Sequence, residues 1–250
     1  MPSTDIPDST AIVTGAGRGF GRGIAAALSR AGVQVVGVAR NDTQLQEVRA
    51  ELGDSFTPIS ADAADPTVAA QLIDAYHPRI LVLNAGATPV SRPIQQQSWQ
   101  TFTLNWEVDV QHVFHWAREA LLAPLAPGST VIAMSSAAAL RGSPLSGGYA
   151  GAKATIRWIA SYAAQESQRA ALGIRFVSLL PQLTAATSLG ATYVSAYAAR
   201  QGVDAATFAD GLGPALTPEL TGKAVIDLVT GTGHDQDAFL LTAAGLSPLN

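Results

Sequence analysis

Short apolar runs alternate along the chain with longer stretches in which apolar residues recur every three or four positions. The runs AIVTG (11–15), VQVVGVA (33–39), ILVLNAG (80–86), TVIAMSS (130–136) and IRFVSLLP (174–181) are rich in β-branched residues and apolar on both faces. Strands covered by helices on both sides read that way. FTPIS (56–60) and AFLLT (238–242) fit two further strands, which makes about seven in all. Helical spacing fills 20–31, 66–76, 99–123 and 149–170 between them. Repeated βα units predict an α/β fold with a doubly wound, mostly parallel sheet, helices on both faces and right-handed crossovers. No low-complexity linker and no long-period repeat divides the sequence, so one domain over residues 1–250 is expected. Residues 185–213 break the rhythm. They hold small residues with Tyr193, Tyr197, Phe208 and four glycines, and they read as an insertion after a strand, the usual form of a lid.

Composition narrows the function classes. At 250 residues and 48% hydrophobic, the chain can bury a large core. A net charge of −4, with 15 basic residues scattered and never in a run, argues against nucleic acid as a partner. Cysteine is absent, which excludes disulfides, thiol nucleophiles and cysteine metal sites. The N-terminus MPSTDIPDST carries Asp5 and Asp8 without an apolar core, so no secretory leader is expected. No apolar run is long enough for a membrane span, and a cytoplasmic protein is the expectation. His112 and His115 are spaced i, i+3 on an expected helix, but no further ligands accompany them, so no metal is expected. Trp99, Trp106, Trp116 and Trp158 read as packing residues.

Two local patterns carry chemistry. The first strand runs into TGAGRGFG (14–21), where Gly15, Gly19 and Gly21 precede an apolar helix. Such a turn lets backbone approach a pyrophosphate, which the helix N-terminus then holds through free N–H groups and its dipole. At the end of the second strand, where a carboxylate would accept the ribose hydroxyls, stand Ala39 and Arg40. Arg40 can fork onto a 2′-phosphate, and Arg18 can join it, which favours NADP(H) over NAD(H). The second pattern is SGGYAGAK (146–153). Tyr149 and Lys153 share one helix face at i, i+4, and the chain has only one other lysine, Lys223.

In this order and spacing the motifs resemble those of the short-chain dehydrogenase/reductase family, over nearly the whole chain. The resemblance implies a Rossmann-type fold and a dinucleotide-binding catalytic domain. TGAGRGFG looks like the cofactor motif, Asp62 in SADAAD sits where an acid approaches the adenine, and LNAG (83–86) is similar to the family's N-N-A-G with Leu83 in place of the first Asn. Ser136, Tyr149 and Lys153 match the active-site spacing. By resemblance the cofactor contacts are Gly15, Arg18, Gly19, Phe20, Gly21, Arg40, Asp62, Ala63, Asn84, Ala85, Gly86, Tyr149, Lys153 and Thr184. Tyr149 would protonate a carbonyl oxygen as hydride arrives. A free phenol is a poor acid near neutral pH, and Lys153 and the oxidised nicotinamide would tune it. Ser136 would hydrogen-bond the substrate oxygen. The resemblance also implies a homo-tetramer or homo-dimer, with Phe114, Trp116, Trp158 and Tyr162 contributing to the contact.

The chain departs from the family at three points. The catalytic Asn of the long helix is replaced: Asp109 falls nearest its spacing, and Asn105 falls about one turn early. Gln182 in PQLTAAT (181–187) stands for a usual Gly, which leaves Thr184 or Thr187 to meet the nicotinamide carboxamide. The C-terminal TAAGLSPLN lacks a usual glycine pair. The reading is an NADP(H)-dependent reductase of a ketone or aldehyde, reversible, with substrate contacts from 87–94, 137–145 and 185–213 and an apolar or aromatic substrate. Isomerisation, dehydration or imine reduction on the same fold remains open, as does a low-turnover NADP-binding scaffold.

Overall fold

The computed structural model describes residues 6–231 and 236–249. Asp5 and Asn250 lie outside them. Seven strands run parallel: β1 (Thr10–Thr14), β2 (Gln34–Ala39), β3 (Phe56–Ser60), β4 (Ile80–Leu83), β5 (Thr130–Met134), β6 (Arg175–Pro181) and β7 (Ala238–Thr242). An eighth, β8 (Gly245–Pro248), pairs antiparallel with β7. It is drawn from the C-terminal segment in which the sequence shows no strand, and it closes the sheet edge by a tight return with Thr242 opposite Gly245. The helices are α1 (Gly19–Arg30), α2 (Asp42–Leu52), α3 (Pro66–Tyr76), α4 (Trp99–Asn105), α5 (Gln111–Leu122), the short α6 (Ala138–Arg141), α7 (Tyr149–Arg169), α8 (Ser188–Gln201), α9 (Ala205–Gly211) and α10 (Pro218–Thr230).

Alternation along each strand explains why the runs look apolar throughout. Ala11 and Val13 of β1, with Ile80 and Val82 of β4, enter a core with Ile24 and Leu28 of α1 and Val225 and Leu228 of α10. Their neighbours Ile12, Leu81 and Leu83 enter a second core on the opposite face, with Ile73 of α3, Trp116 of α5 and Ile156 of α7. With a period of two and helices on both sides, nearly every residue of a central strand is buried.

Two expectations about the long helix change. Residues 99–123 do not form one α-helix. α4 ends at Asn105, a π-helical turn covers Trp106–Val110, and α5 follows. Such turns insert extra backbone and re-aim the side chains they carry. Trp116 is fully buried and its Nε1 donates to the Ala63 carbonyl at 3.0 Å, so it is a core residue and no part of an intersubunit contact. Conversely, Trp99, Trp106 and Trp158 are substantially exposed and do not serve the core.

The sheet order is β3-β2-β1-β4-β5-β6-β7-β8. The chain runs outward from β1 to β3, then crosses back to lay β4 on the other side of β1. In such sheets a crevice opens beyond the carboxyl ends of the two strands at the reversal. No helix among the described residues is long and apolar enough to cross a membrane.

Candidate active site

A cavity of about 850 Å³ lies at that crevice. Its floor is the turn after β1 and the segment after β4, fastened together by Thr14. The Thr14 hydroxyl accepts from the backbone N–H groups of Asn84 at 2.9 Å and Ala85 at 3.1 Å, and the Asn84 side-chain amide returns a bond to the Thr14 carbonyl at 3.1 Å. Glycine is needed here for space. A Cβ on Gly15, whose φ is +67°, would stand 2.8 Å from the Asn84 amide, and one on Gly21 would stand 2.1 Å from the Gly15 carbonyl oxygen. α1 starts with Arg18 as its N-cap residue, and no side chain caps its first N–H groups. These donors need an acceptor, and with the dipole they suit a phosphate.

Gly15, Arg18, Gly19, Phe20, Asn84, Ala85, Gly86 and Thr184 all line the cavity. Gly21 packs beneath the turn instead. Arg40 is exposed just beyond β2, and Asp62 follows β3 with its carboxylate accepting from the Ala64 N–H at 3.0 Å. These two, with the buried Ala63, lie outside the cavity lining, along the neighbouring strand ends. The Thr184 hydroxyl accepts from the Ala186 N–H at 3.2 Å, and Thr187 caps α8 through the Gly190 N–H. Gln182, which also lines the cavity, donates to the Pro214 carbonyl at 3.0 Å.

The reactive groups gather at the ends of β5 and α7. Tyr149 is the first residue of α7, and Gly148 before it packs so closely on α4 that a Cβ would lie 2.1 Å from the Phe102 carbonyl oxygen. One turn on, the buried Lys153 Nζ donates to the Met134 carbonyl at 3.1 Å and pairs with Asp109 Oδ2 at 3.2 Å, while lying 5.6 Å from the centre of the Tyr149 ring. An ammonium has three donors, so one remains for the cavity. Burial pulls the Lys153 pKa down, but the charges of Asp109 and Tyr149 and the bond to Asp109 outweigh it, and the net direction is upward. Ser135 and Ser136 divide their work. Ser135 is buried and its hydroxyl donates to the Lys153 carbonyl at 2.7 Å, tying β5 to α7. The Ser136 oxygen accepts from the Ala138 N–H at 3.2 Å, which leaves its own O–H free as a donor toward the cavity.

The π-helical turn brings both candidates for the missing Asn into one place. Asp109 is buried and accepts from the Ala87 N–H at 2.8 Å, from Lys153, and from the Asn105 amide at 3.3 Å to each oxygen. Asn105 also donates to the Ala87 carbonyl at 2.9 Å. A buried ion pair persists only when its remaining lone pairs are satisfied, and here they are.

Two residues have more to do with the site than the sequence suggests. His112 is fully buried with its ring edge-on to Trp116, and burial with the nearby Lys153 charge pushes its pKa down to about 3. It is a neutral imidazole behind the lysine, and its i, i+3 spacing to Asp109 was the available signal. His115 is only half-buried, and among the described residues no group of three His, Asp or Glu converges. The second residue is Tyr193. The 185–213 segment forms the outer wall through α8 and α9, and its rings continue a row from the site: Tyr149 to Tyr193 at 6.4 Å between centroids, Tyr193 to Tyr197 at 6.3 Å, Tyr197 to Phe208 at 6.0 Å.

A reversal crevice in a parallel sheet, a glycine-built turn and an uncapped helix start define a Rossmann-type α/β protein. The short chain dehydrogenase family model matches residues 9–198. The chain therefore belongs to the short-chain dehydrogenase family. It is 31% identical over 135 residues to an L-xylulose reductase of Bos taurus, covering 53% of this chain and 54% of the relative. It is 28% identical over 139 residues to a D-erythrulose reductase of Gallus gallus, covering 54% and 56%. The matches thus span about half the length of these relatives. A 3-ketoacyl-(acyl-carrier-protein) reductase from Brucella melitensis, solved in complex with NADH, shares the fold with a TM-score of 0.78 at 23% identity, over 94% of this chain and 97% of that one.

Proposed function

We propose that the protein is an NADP(H)-dependent oxidoreductase that reduces a ketone or aldehyde to an alcohol, reversibly, with Tyr149 as general acid and base. The observation that carries this reading is the convergence of the Tyr149 phenol, the free Ser136 O–H and the third Lys153 donor on one cavity beside the uncapped start of α1. The turn from Gly15 to Gly21 would hold the pyrophosphate, Asn84, Ala85 and Gly86 would back the nicotinamide half with Thr184, and Asp62 and Ala63 would flank the adenine. The exposed Arg18 and Arg40 would meet a 2′-phosphate, where a carboxylate would repel it.

A nicotinamide cofactor held there would supply the hydride for the carbonyl carbon. Ser136 donates to the carbonyl oxygen and fixes it, and Tyr149 gives that oxygen its proton. Lys153 stabilises the phenolate left behind, and its third N–H would hold the ribose of the cofactor. Because Asp109 binds the ammonium directly, Lys153 works as a fixed cation. The reverse reaction uses the same groups, with Tyr149 taking the proton.

The outer wall of aromatic and aliphatic side chains suits a substrate with an apolar or aromatic body. Trp106, Phe114, Trp158 and Tyr162, all exposed, offer an apolar face for a homo-dimer or homo-tetramer, to be checked by sedimentation.

Titration with NADPH and NADH, followed by tryptophan-to-nicotinamide energy transfer, tests the cofactor. A preference for NADPH of tenfold or more, about 1.4 kcal/mol, is expected; binding of neither overturns the reading. With a carbonyl turned over by the wild type, Tyr149→Phe should abolish turnover and keep NADPH binding, and retained turnover would remove Tyr149 from its role.

A further inference from the structure

Two tyrosines of α8 face the cavity, and they are treated differently by the fold. Tyr197 is anchored, its hydroxyl hydrogen-bonded to the Ser143 hydroxyl. Tyr193, one turn earlier, is 6% exposed and its hydroxyl has no hydrogen-bond partner. Folded proteins rarely leave a buried hydroxyl unpaired, because it gives up water and gains nothing. Burial, with the neighbouring phenols of Tyr149 and Tyr197, pushes the Tyr193 pKa up, so it stays a neutral donor. Its ring lies against the Tyr149 ring, 28° from parallel with 6.4 Å between centroids, and both residues line the cavity.

We infer that Tyr193 is a substrate-contacting residue, whose hydroxyl donates to a second oxygen on the carbon next to the carbonyl that Tyr149 protonates. The substrate class is then an α-oxygenated ketone, an α-hydroxy ketone or 1,2-dicarbonyl, with its apolar end along Tyr197 and Phe208. The hydroxyl oxygen itself is buried, so donation requires the phenol to swing toward the cavity that its ring borders. A ketone without the second oxygen leaves the hydroxyl unpaired in the complex, and sites that hydrogen-bond a substrate group reject analogues that lack it. This inference rests on the carbonyl-reductase reading of the same site.

The test compares 2-hydroxyacetophenone with acetophenone, which differ by that one oxygen, in NADPH oxidation by wild type and Tyr193→Phe. The variant should lose tenfold or more in kcat/KM for the hydroxy ketone, about 1.4 kcal/mol, mainly through KM, and change less than about twofold for acetophenone. Equal losses on both ketones would mean that Tyr193 merely holds Tyr149, and no loss on either would mean that its hydroxyl touches no substrate; each overturns the inference while leaving the reductase reading intact. A wild type that binds NADPH and reduces neither ketone overturns the inference, while turnover of some other ketone or aldehyde would still uphold the reductase reading. Thermal denaturation gives a separate check. Tyr193→Phe should melt at or above the wild-type temperature, since it removes an unpartnered hydroxyl, and a clear drop would reveal a structural partner and sink the assignment.

Discussion

Replacing Asp109 with alanine takes away the carboxylate that faces a buried ammonium. Lys153 is left with the Met134 carbonyl, and the Ala87 N–H and the Asn105 amide lose an acceptor in the same stroke. Removing one partner of a buried pair costs about 3–5 kcal/mol, because the remaining charge is stranded. For a chain of this size that corresponds to a melting temperature lower by roughly 6–20 °C. Asp109→Asn keeps an oxygen for Ala87 and the shape of the side chain but not the charge, and should fall between the variant and the wild type. The pH dependence distinguishes charge from packing. In the wild type the Lys153 pKa is raised, so its contribution is present below the ordinary lysine value of about 10.5 and is lost only as pH climbs through the folded value. Without Asp109, burial dominates and the folded pKa drops below the unfolded one, so stability should rise with pH and the deficit of Asp109→Ala should shrink between about pH 7 and pH 10. Turnover should fall with NADPH affinity nearly unchanged. Circular-dichroism melts across that pH range, with a titration of NADPH, make the assay. A melting temperature within about 2 °C of wild type at pH 7, or a deficit that is constant with pH, would refute the reasoning; an unchanged rate would remove Asp109 from the site.

Three further outcomes are expected. Arg40→Ala should cut the preference for NADPH over NADH by about tenfold or more, read by the same energy-transfer titration, and an unaltered ratio would leave Arg18 or another group as the reader of the 2′-phosphate. His112 is held neutral with a folded pKa of about 3 against an ordinary 6.5. Its contribution is therefore complete above pH 6.5 and drains away as pH falls toward 3, by roughly 4–5 kcal/mol in total, and His112→Phe should flatten the acid limb of a denaturation series over that window. Gly148→Ala puts a Cβ 2.1 Å from the Phe102 oxygen and should cost about 1–3 kcal/mol of stability with a displaced Tyr149, so a variant as stable and active as wild type would contradict the close packing of α7 on α4.

Much of the fold was legible because its strands sit under helices on both sides: the runs at 11–13, 80–83 and 131–134 are apolar at every step, which marks them as strands buried on both faces. α3 begins and ends where the pattern ends, with Asp65 capping and Pro66 at the first turn. The long helix was misread as continuous because a π-helical turn keeps helical apolar spacing on either side of it. Its consequence, Asn105 and Asp109 meeting over Lys153, is a tertiary outcome that spacing does not encode. β8 was missed because GLSP is short, half-exposed and paired along one edge only. The grouping of Ser136, Tyr149 and Lys153 could be expected from sequence intervals. The unpaired Tyr193 hydroxyl and the burial of a neutral His112 behind Lys153 could not, since both depend on what surrounds a side chain once the chain has folded.

The Thr14 fastening has a consequence for how such a protein can change. It joins the two halves of the sheet at their seam, the Asn84 and Ala85 N–H groups both donating to its side-chain hydroxyl, so the width of the crevice is held by one short side chain between two strand ends. The opposite wall rests on α8 and α9, an excursion from the sheet whose bonds to the rest run through side chains such as Tyr197 and Ser143. Mutations there can reshape the chamber one residue at a time without touching the seam. A lineage built this way would drift in what it accepts while conserving how it grips its coenzyme, and selection for a new substrate would be expected to leave its marks in α8 and α9 first.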